Sequence, residues 1–135
     1  MSAVEVALPR VKANEGFRAN VYTDSLGNPT IGYGCLLSNW SQAFASDVCE
    51  LQLEHALADV DGYDWFQACD EIRQSVLVEM VFNLGLAHLL GFHDFLAALA
   101  DKDWQAAHNA MLDSAWATEV GARANRLAQV ILTGL

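Results

Sequence analysis

The chain reads EGFRANVYTDSLGNPTIGYG from Glu15 to Gly34, and this segment carries two carboxylic acids around a predicted turn. Aromatic and branched residues in 17–24 are typical of a strand, and a run of turn formers leads to a second strand, 30–34. Glu15 ends a predicted helix, so the chain doubles back between Glu15 and Asp24. Two acids facing each other across a gap are the minimum equipment for hydrolysing a glycosidic bond. Taken alone, however, these two acids fit a solvated surface turn better.

Length and composition indicate one folded domain. The chain has 135 residues, of which 53% are hydrophobic and only 18% are charged. This balance argues against a disordered protein, and 135 residues are enough to bury one sizeable core. Polar residues interrupt every apolar run before it reaches the roughly 18 residues that a membrane-spanning helix needs, so no stable membrane insertion is expected.

The net charge argues against a nucleic-acid partner. Seven basic and seventeen acidic residues give a formal charge of −10, whereas nucleic-acid binding favours a basic face. No Lys or Arg occurs between Asn20 and Ile72. Five of the seven cations lie near the opening segment or the C-terminus, namely Arg10, Lys12, Arg18, Arg123 and Arg126. This distribution indicates either a positive rim around a site or chance clustering.

Cysteine and histidine usage predicts no metal site, and it leaves a single disulfide with one remaining cysteine as the less favoured alternative to three thiols. Three cysteines without close pairing favour reduced thiols in a cytosolic product, namely Cys35, Cys49 and Cys69. The four histidines are His55, His88, His93 and His108. They lack the paired spacing of a zinc site, so no metal or other cofactor is expected. The first residues form a poor signal peptide because Glu5 interrupts their apolar run.

Helices dominate the remainder of the predicted structure. Pro9 indicates the first turn of a short helix that runs to about Asn14, and Ser46 the N-cap of a helix that runs to about Val60. The segment 72–84 is apolar nearly all round and should occupy the centre of a bundle. Further helices are predicted at Leu86 to Leu90, Phe92 to Ala100, Trp104 to Asp113 and Val120 to Leu132.

Three groups of residues together carry a family resemblance. The first is the spaced set Glu15, Asp24 and Thr30 within EGFR and TIGYG, and the second is MVFNLG at 80–85, which continues to Gly91-Phe92. The third group follows near the end of the chain, with Trp116, Arg123 and Arg126. In this order and spacing the chain resembles the T-even phage lysozyme family, glycoside hydrolase family 24, over nearly its whole length.

The resemblance implies a mostly helical, two-lobed α+β lysozyme fold in a single domain, 1–135. A small β-hairpin lobe would cover about 15–45 and a connecting helix about 46–60. A helical lobe would cover about 63–135 together with the N-terminal helix. The implied activity is that of a muramidase, which cleaves the β-1,4 bond between N-acetylmuramic acid and N-acetylglucosamine in peptidoglycan.

The resemblance also implies roles for individual residues. Glu15 is expected to be the general acid, Asp24 the carboxylate that activates water, and Thr30 the residue that helps to hold that water. Arg123 is similar to the family's arginine beside the catalytic glutamate, and it would hold the Glu15 side chain in one rotamer. Substrate-binding residues would be Leu36, Phe82, Asn83 and Phe92. The family favours an inverting mechanism, in which the carboxyl groups stand roughly 6.5–9.5 Å apart.

The expected biological role is that of a phage endolysin in host lysis. We expect a monomer whose partner is the peptidoglycan glycan strand, and which stays in the host cytoplasm until a separate lysis factor releases it. The alternative is a wall-binding or structural lysozyme-like module of virion or bacteriocin origin with low turnover. A chitinase-like or transglycosylase specificity is a third possibility, and Trp40 and Trp65 remain open as sugar-stacking residues.

Overall fold

The computed structural model describes residues 1–135 and contains nine helices and one small three-stranded sheet. The helices are α1 (Ala3–Glu15), α2 (Gln42–Val60), α3 (Asp64–Gln67), α4 (Glu71–Leu84), α5 (Leu86–Leu90), α6 (His93–Ala100), α7 (Trp104–Leu112), α8 (Ala115–Val120) and α9 (Ala122–Thr133). The strands are β1 (Arg18–Thr23), β2 (Pro29–Gly32) and β3 (Cys35–Leu36). The predicted mostly helical α+β class is confirmed. The chain divides into two compact units, Met1–Ser46 and Asp47–Leu135.

Helix α1 begins well before the predicted position. Ser2 and Glu5 form a capping box, in which the Ser2 hydroxyl accepts from the Glu5 amide and the Glu5 carboxylate accepts from the Ser2 amide. This cap outweighs the signal from Pro9, so Pro9 lies inside the helix and its assignment to the first turn was wrong. The helix ends at Glu15 because Gly16 takes a φ of 70°.

The sheet is an antiparallel meander in the order β1-β2-β3. Tyr22 of β1 and Leu36 of β3 both pair with Thr30, so Thr30 lies in the middle strand. The predicted hairpin is therefore present, with a third short strand at its edge. The first unit thus combines α1, the sheet and the start of α2.

Helix α2 starts one turn earlier than predicted. The Ser41 hydroxyl accepts from the Phe44 amide at 3.1 Å, so Ser41 caps the helix and Ser46 lies inside it. Its end at Val60 agrees with the prediction. The structure groups α1 with the sheet, and the expected membership of α1 in the helical lobe stays a prediction.

The second unit contains the main hydrophobic core. Helix α4 contributes Val76, Leu77, Met80 and Val81 to it, as its apolar sequence predicts. Helix α7 packs against both α6 and α9. The prediction for the C-terminal part missed one element, the separate helix α8. Ser114 caps its start, and Gly121 ends it with a φ of 57°. None of the helices combines the length and apolar content that crossing a bilayer requires.

Candidate active site

The side chain of Glu15, the predicted acid, lies against the backbone of Gly34. A Cβ atom built on Gly34 would stand 2.6 Å from Oε2 of Glu15 and 2.8 Å from its Cδ. Gly34 also has a φ of 72°, a conformation that glycine adopts without steric cost. Both the close approach and the backbone conformation therefore favour glycine at this position. The end of α1 and the turn after β2 meet at the carboxyl group of Glu15.

Contacts to Tyr33 hold these same two segments together. The rings of Phe17 and Tyr33 have centroids 5.6 Å apart, and Nζ of Lys12 lies 5.3 Å from the Tyr33 centroid. Each contact contributes on the order of 1 kcal/mol. Because Lys12 precedes Glu15 and Phe17 follows it, Tyr33 restrains the chain on both sides of the predicted acid.

Asp24 closes the turn between β1 and β2. Its Oδ1 accepts hydrogen bonds from the amides of Leu26 at 2.9 Å and Asn28 at 2.8 Å. These bonds, above all the one from the Asn28 amide, lower the pKa of Asp24 below its ordinary value. Asp24 is therefore ionised at neutral pH, as a carboxylate that activates water has to be.

Thr30 is joined to Asp24 through Asn28. The Thr30 hydroxyl donates to the Asn28 carbonyl at 3.0 Å, while the Asn28 amide donates to Asp24. Only 2% of Thr30 is exposed, so its hydroxyl is held firmly in the middle strand. Sequence reasoning missed Asn28 as a positioning residue, although its place among the turn formers was a usable signal.

Two of the four predicted substrate-binding residues share a cavity. Asn83 and Phe92 line one cavity of about 490 Å³, where Oδ1 of Asn83 accepts from the indole Nε1 of Trp116 at 2.6 Å. Phe82 is 44% exposed and lines other cavities. Leu36 is 46% exposed on β3, in the first unit. Asn83 and Phe92 are thus the predicted pair that the structure brings to one cavity.

Arg123 forms an ion pair that the sequence did not predict. Its Nε donates to Oε1 of Glu79 at 3.0 Å, and its Nη2 lies 2.9 Å from the same oxygen. Glu79 lies one turn before Asn83 on α4, and nothing in its sequence context marked it as a partner. The role of Arg123 beside Glu15 stays a prediction. No three His, Cys, Asp or Glu side chains come together in a group that could hold a metal ion.

Comparison with known proteins supplies the family. The phage lysozyme family model matches residues 12–130. Over 92% of its length the chain is 28% identical to the pre-baseplate central spike protein Gp5 of Enterobacteria phage T4, and it spans 27% of that protein.

Two relatives from Dictyostelium discoideum are lysozymes by name. The chain is 33% identical to probable T4-type lysozyme 1 over 51% of its own length and 41% of that protein. It is 24% identical to probable T4-type lysozyme 2 over 92% of both chains. The spike protein and lysozyme 1 therefore extend well beyond the matched region.

Proposed function

The chain belongs to the phage lysozyme family of glycoside hydrolases, and we propose that it is a muramidase acting on the glycan strands of peptidoglycan. The observation that carries the proposal is the arrangement of its first unit. There Glu15 packs on Gly34, and Asp24 and Thr30 are tied to one turn through Asn28. Each of the three predicted catalytic residues thus has its own positioning contact.

The chemistry follows from the states of these groups. Glu15 donates a proton to the glycosidic oxygen as the bond breaks. Asp24, which hydrogen bonds keep ionised, accepts a proton from the attacking water, and Thr30 orients that water. Attack on the face opposite the leaving group inverts the anomeric centre. Leu36, Phe82, Asn83 and Phe92 contact the sugars, and Arg123 supports Glu15 in this proposal.

As the biological role we favour a monomeric endolysin that accumulates in the host cytoplasm and reaches the wall through a separate lysis factor. The second candidate is a wall-binding or structural lysozyme-like module of virion or bacteriocin origin with low turnover. The similarity to a pre-baseplate central spike protein over 92% of the chain favours this second role. Expression in a Gram-negative cytoplasm separates the two. An endolysin should lyse the cells once their inner membrane is permeabilised, whereas a module with low turnover should not.

Substitution Glu15→Gln tests the proposed activity. It removes the transferable proton at nearly constant shape, so clearing of permeabilised Gram-negative cells should slow by about a thousand-fold. Glu5→Gln on the same helix is the matched control, because glutamine also serves at this position of a capping box. Equal clearing by the Glu15→Gln protein would refute the assignment of the acid.

Product analysis separates the reaction classes. Hydrolysis leaves reducing muramic ends on the fragments, whereas a lytic transglycosylase leaves anhydro ends. Mass spectrometry of digested sacculi therefore checks the proposed reaction. Wild-type protein that pellets with sacculi but releases no soluble fragments would favour the low-turnover module.

A further inference from the structure

The four tryptophans differ sharply in exposure. Trp65 and Trp116 are buried, and Trp104 is half-buried beneath the guanidinium of Arg73 at 4.0 Å from the ring centroid. Trp40 is 41% exposed, in the segment between β3 and α2. A large aromatic side chain that stays at the surface is the kind of residue that binding sites use.

The indole of Trp40 is held in one orientation. Its Nε1 donates to the Leu36 carbonyl at 2.7 Å, and its ring meets Phe44 edge to face with centroids 4.8 Å apart. Asn39, just before it, takes a left-handed φ of 59°. Because its polar atom is already satisfied and one edge is packed, Trp40 presents a fixed apolar ring surface to solvent. Such preorganisation lowers the entropy cost of binding.

This surface is continuous with the proposed catalytic strand. Leu36, which accepts the indole hydrogen bond, pairs directly with Thr30 in the sheet. The neighbouring side chains are apolar and partly exposed, namely Leu36, Leu37 and Phe44. Since no Lys or Arg occurs between Asn20 and Ile72, the patch carries no cation for an anionic lipid or a nucleic acid. An uncharged sugar ring, whose C–H groups can lie on an aromatic face, fits this chemistry.

We propose that Trp40 forms an additional sugar subsite, in which its indole stacks on an N-acetylhexosamine unit of the glycan strand. Leu36 borders this unit on the side toward Thr30. The subsite rests on the proposed muramidase function and extends the binding surface of that same site. It predicts that long glycan strands bind more tightly than short ones.

Binding is measured without turnover in the Glu15→Gln background. Peptide-free glycan strands prepared from sacculi with an amidase serve as the probe in isothermal titration calorimetry. Adding Trp40→Ala should weaken the affinity roughly ten-fold, while Trp40→Phe should recover most of the loss because a ring remains. Leu51→Ala, at an exposed apolar position of α2, is the control and should bind unchanged. Unaltered affinity in the Trp40→Ala protein, or an equal loss in the Leu51→Ala protein, would overturn the proposal.

Two further readouts distinguish a subsite from a structural role. In the active enzyme Trp40→Ala should raise KM while kcat stays within about two-fold, and glycan should protect Trp40 fluorescence from acrylamide quenching. If Trp40→Ala instead abolishes a dimer in analytical ultracentrifugation, the patch is a self-association surface and the proposal is wrong. If the wild-type protein cleaves walls and Trp40→Ala changes neither the glycan affinity nor KM, the subsite alone is refuted. A wild-type protein that neither binds nor cleaves refutes the muramidase function.

Discussion

Substitution Gly34→Ala should separate the position of the proposed acid from the stability of the protein. The new methyl group would stand 2.6 Å from Oε2 of Glu15, 2.8 Å from Cδ and 3.1 Å from Cγ. Because carbon and oxygen atoms in contact need more than 3 Å, the carboxyl group has to move by about 0.5–1 Å. A displacement of this size at a reacting group costs on the order of a hundred-fold in rate.

Gly32→Ala is the matched control. Gly32 has a φ of 69°, close to the 72° of Gly34, but nothing lies within 4 Å of the position of its added Cβ. Both variants therefore carry the same backbone strain of about 1–2 kcal/mol. The side chain of Glu15 is exposed and can rotate away, which adds only about 1 kcal/mol in the Gly34→Ala protein.

The assay is clearing of permeabilised cells alongside thermal unfolding of the same preparations. We expect the melting temperatures of the two variants to agree within roughly 5 °C, while Gly34→Ala clears about a hundred-fold more slowly than Gly32→Ala. Equal rates would show that the contact between Gly34 and Glu15 does not position the acid. A much larger loss of stability in the Gly34→Ala protein would mean that the turn itself had failed.

Three further predictions concern stability and charge. Arg73→Met removes hydrogen bonds to the carbonyls of Ile131 and Leu132 and the ion pair with Asp70, so the free energy of unfolding measured in urea should fall by about 3 kcal/mol. The control Arg126→Met, at an exposed position, should change it by less than about 0.5 kcal/mol. Hydrogen bonds, chiefly from the Arg73 amide, lower the pKa of Asp70 below its ordinary value, so ionised Asp70 stabilises the fold above about pH 4 and this contribution is lost as the pH falls through the folded-state pKa. In urea unfolding from about pH 5 to about pH 2, the free energy of unfolding should therefore fall less in the Asp70→Asn protein than in the wild type. Because the protein carries a formal charge of −10 and its proposed wall substrate is also anionic, clearing should accelerate when salt rises from about 10 mM to about 150 mM, and an unchanged or slower rate would contradict this repulsion.

Local signals in the sequence were sufficient for most elements. The turn formers of 25–29 predicted the hairpin, and the apolar segment 72–84 predicted helix α4, because both signals act over a few residues. The expected central position of α4 was not found, since only Val76, Leu77, Met80 and Val81 of this helix are buried. Helix starts were harder to predict because several polar residues compete as caps. Ser41 and Ser46 are both suitable caps by type, and only the hydrogen bond from the Phe44 amide identifies Ser41.

The positioning contacts of the candidate site lay largely beyond prediction. Glu79 and Arg123 are distant in sequence, and a pairing between side chains of separate helices leaves no mark in either segment. The sequence places Gly34 at the end of the predicted strand 30–34, but it does not identify the group that packs against this glycine. That group is Glu15, and it reaches the glycine only because α1 ends where the sheet turns.

The candidate site is held together mainly by contacts with the backbone. Asp24 is fixed by backbone amides and Thr30 by a backbone carbonyl, while the Glu15 side chain lies against the backbone of Gly34. None of these contacts depends on the identity of a partner side chain, apart from the glycine. Side chains around the candidate site can therefore change widely while the turn keeps its shape. By the same reasoning, substitutions that alter the backbone of this turn should damage the site more than substitutions of the exposed side chains beside it.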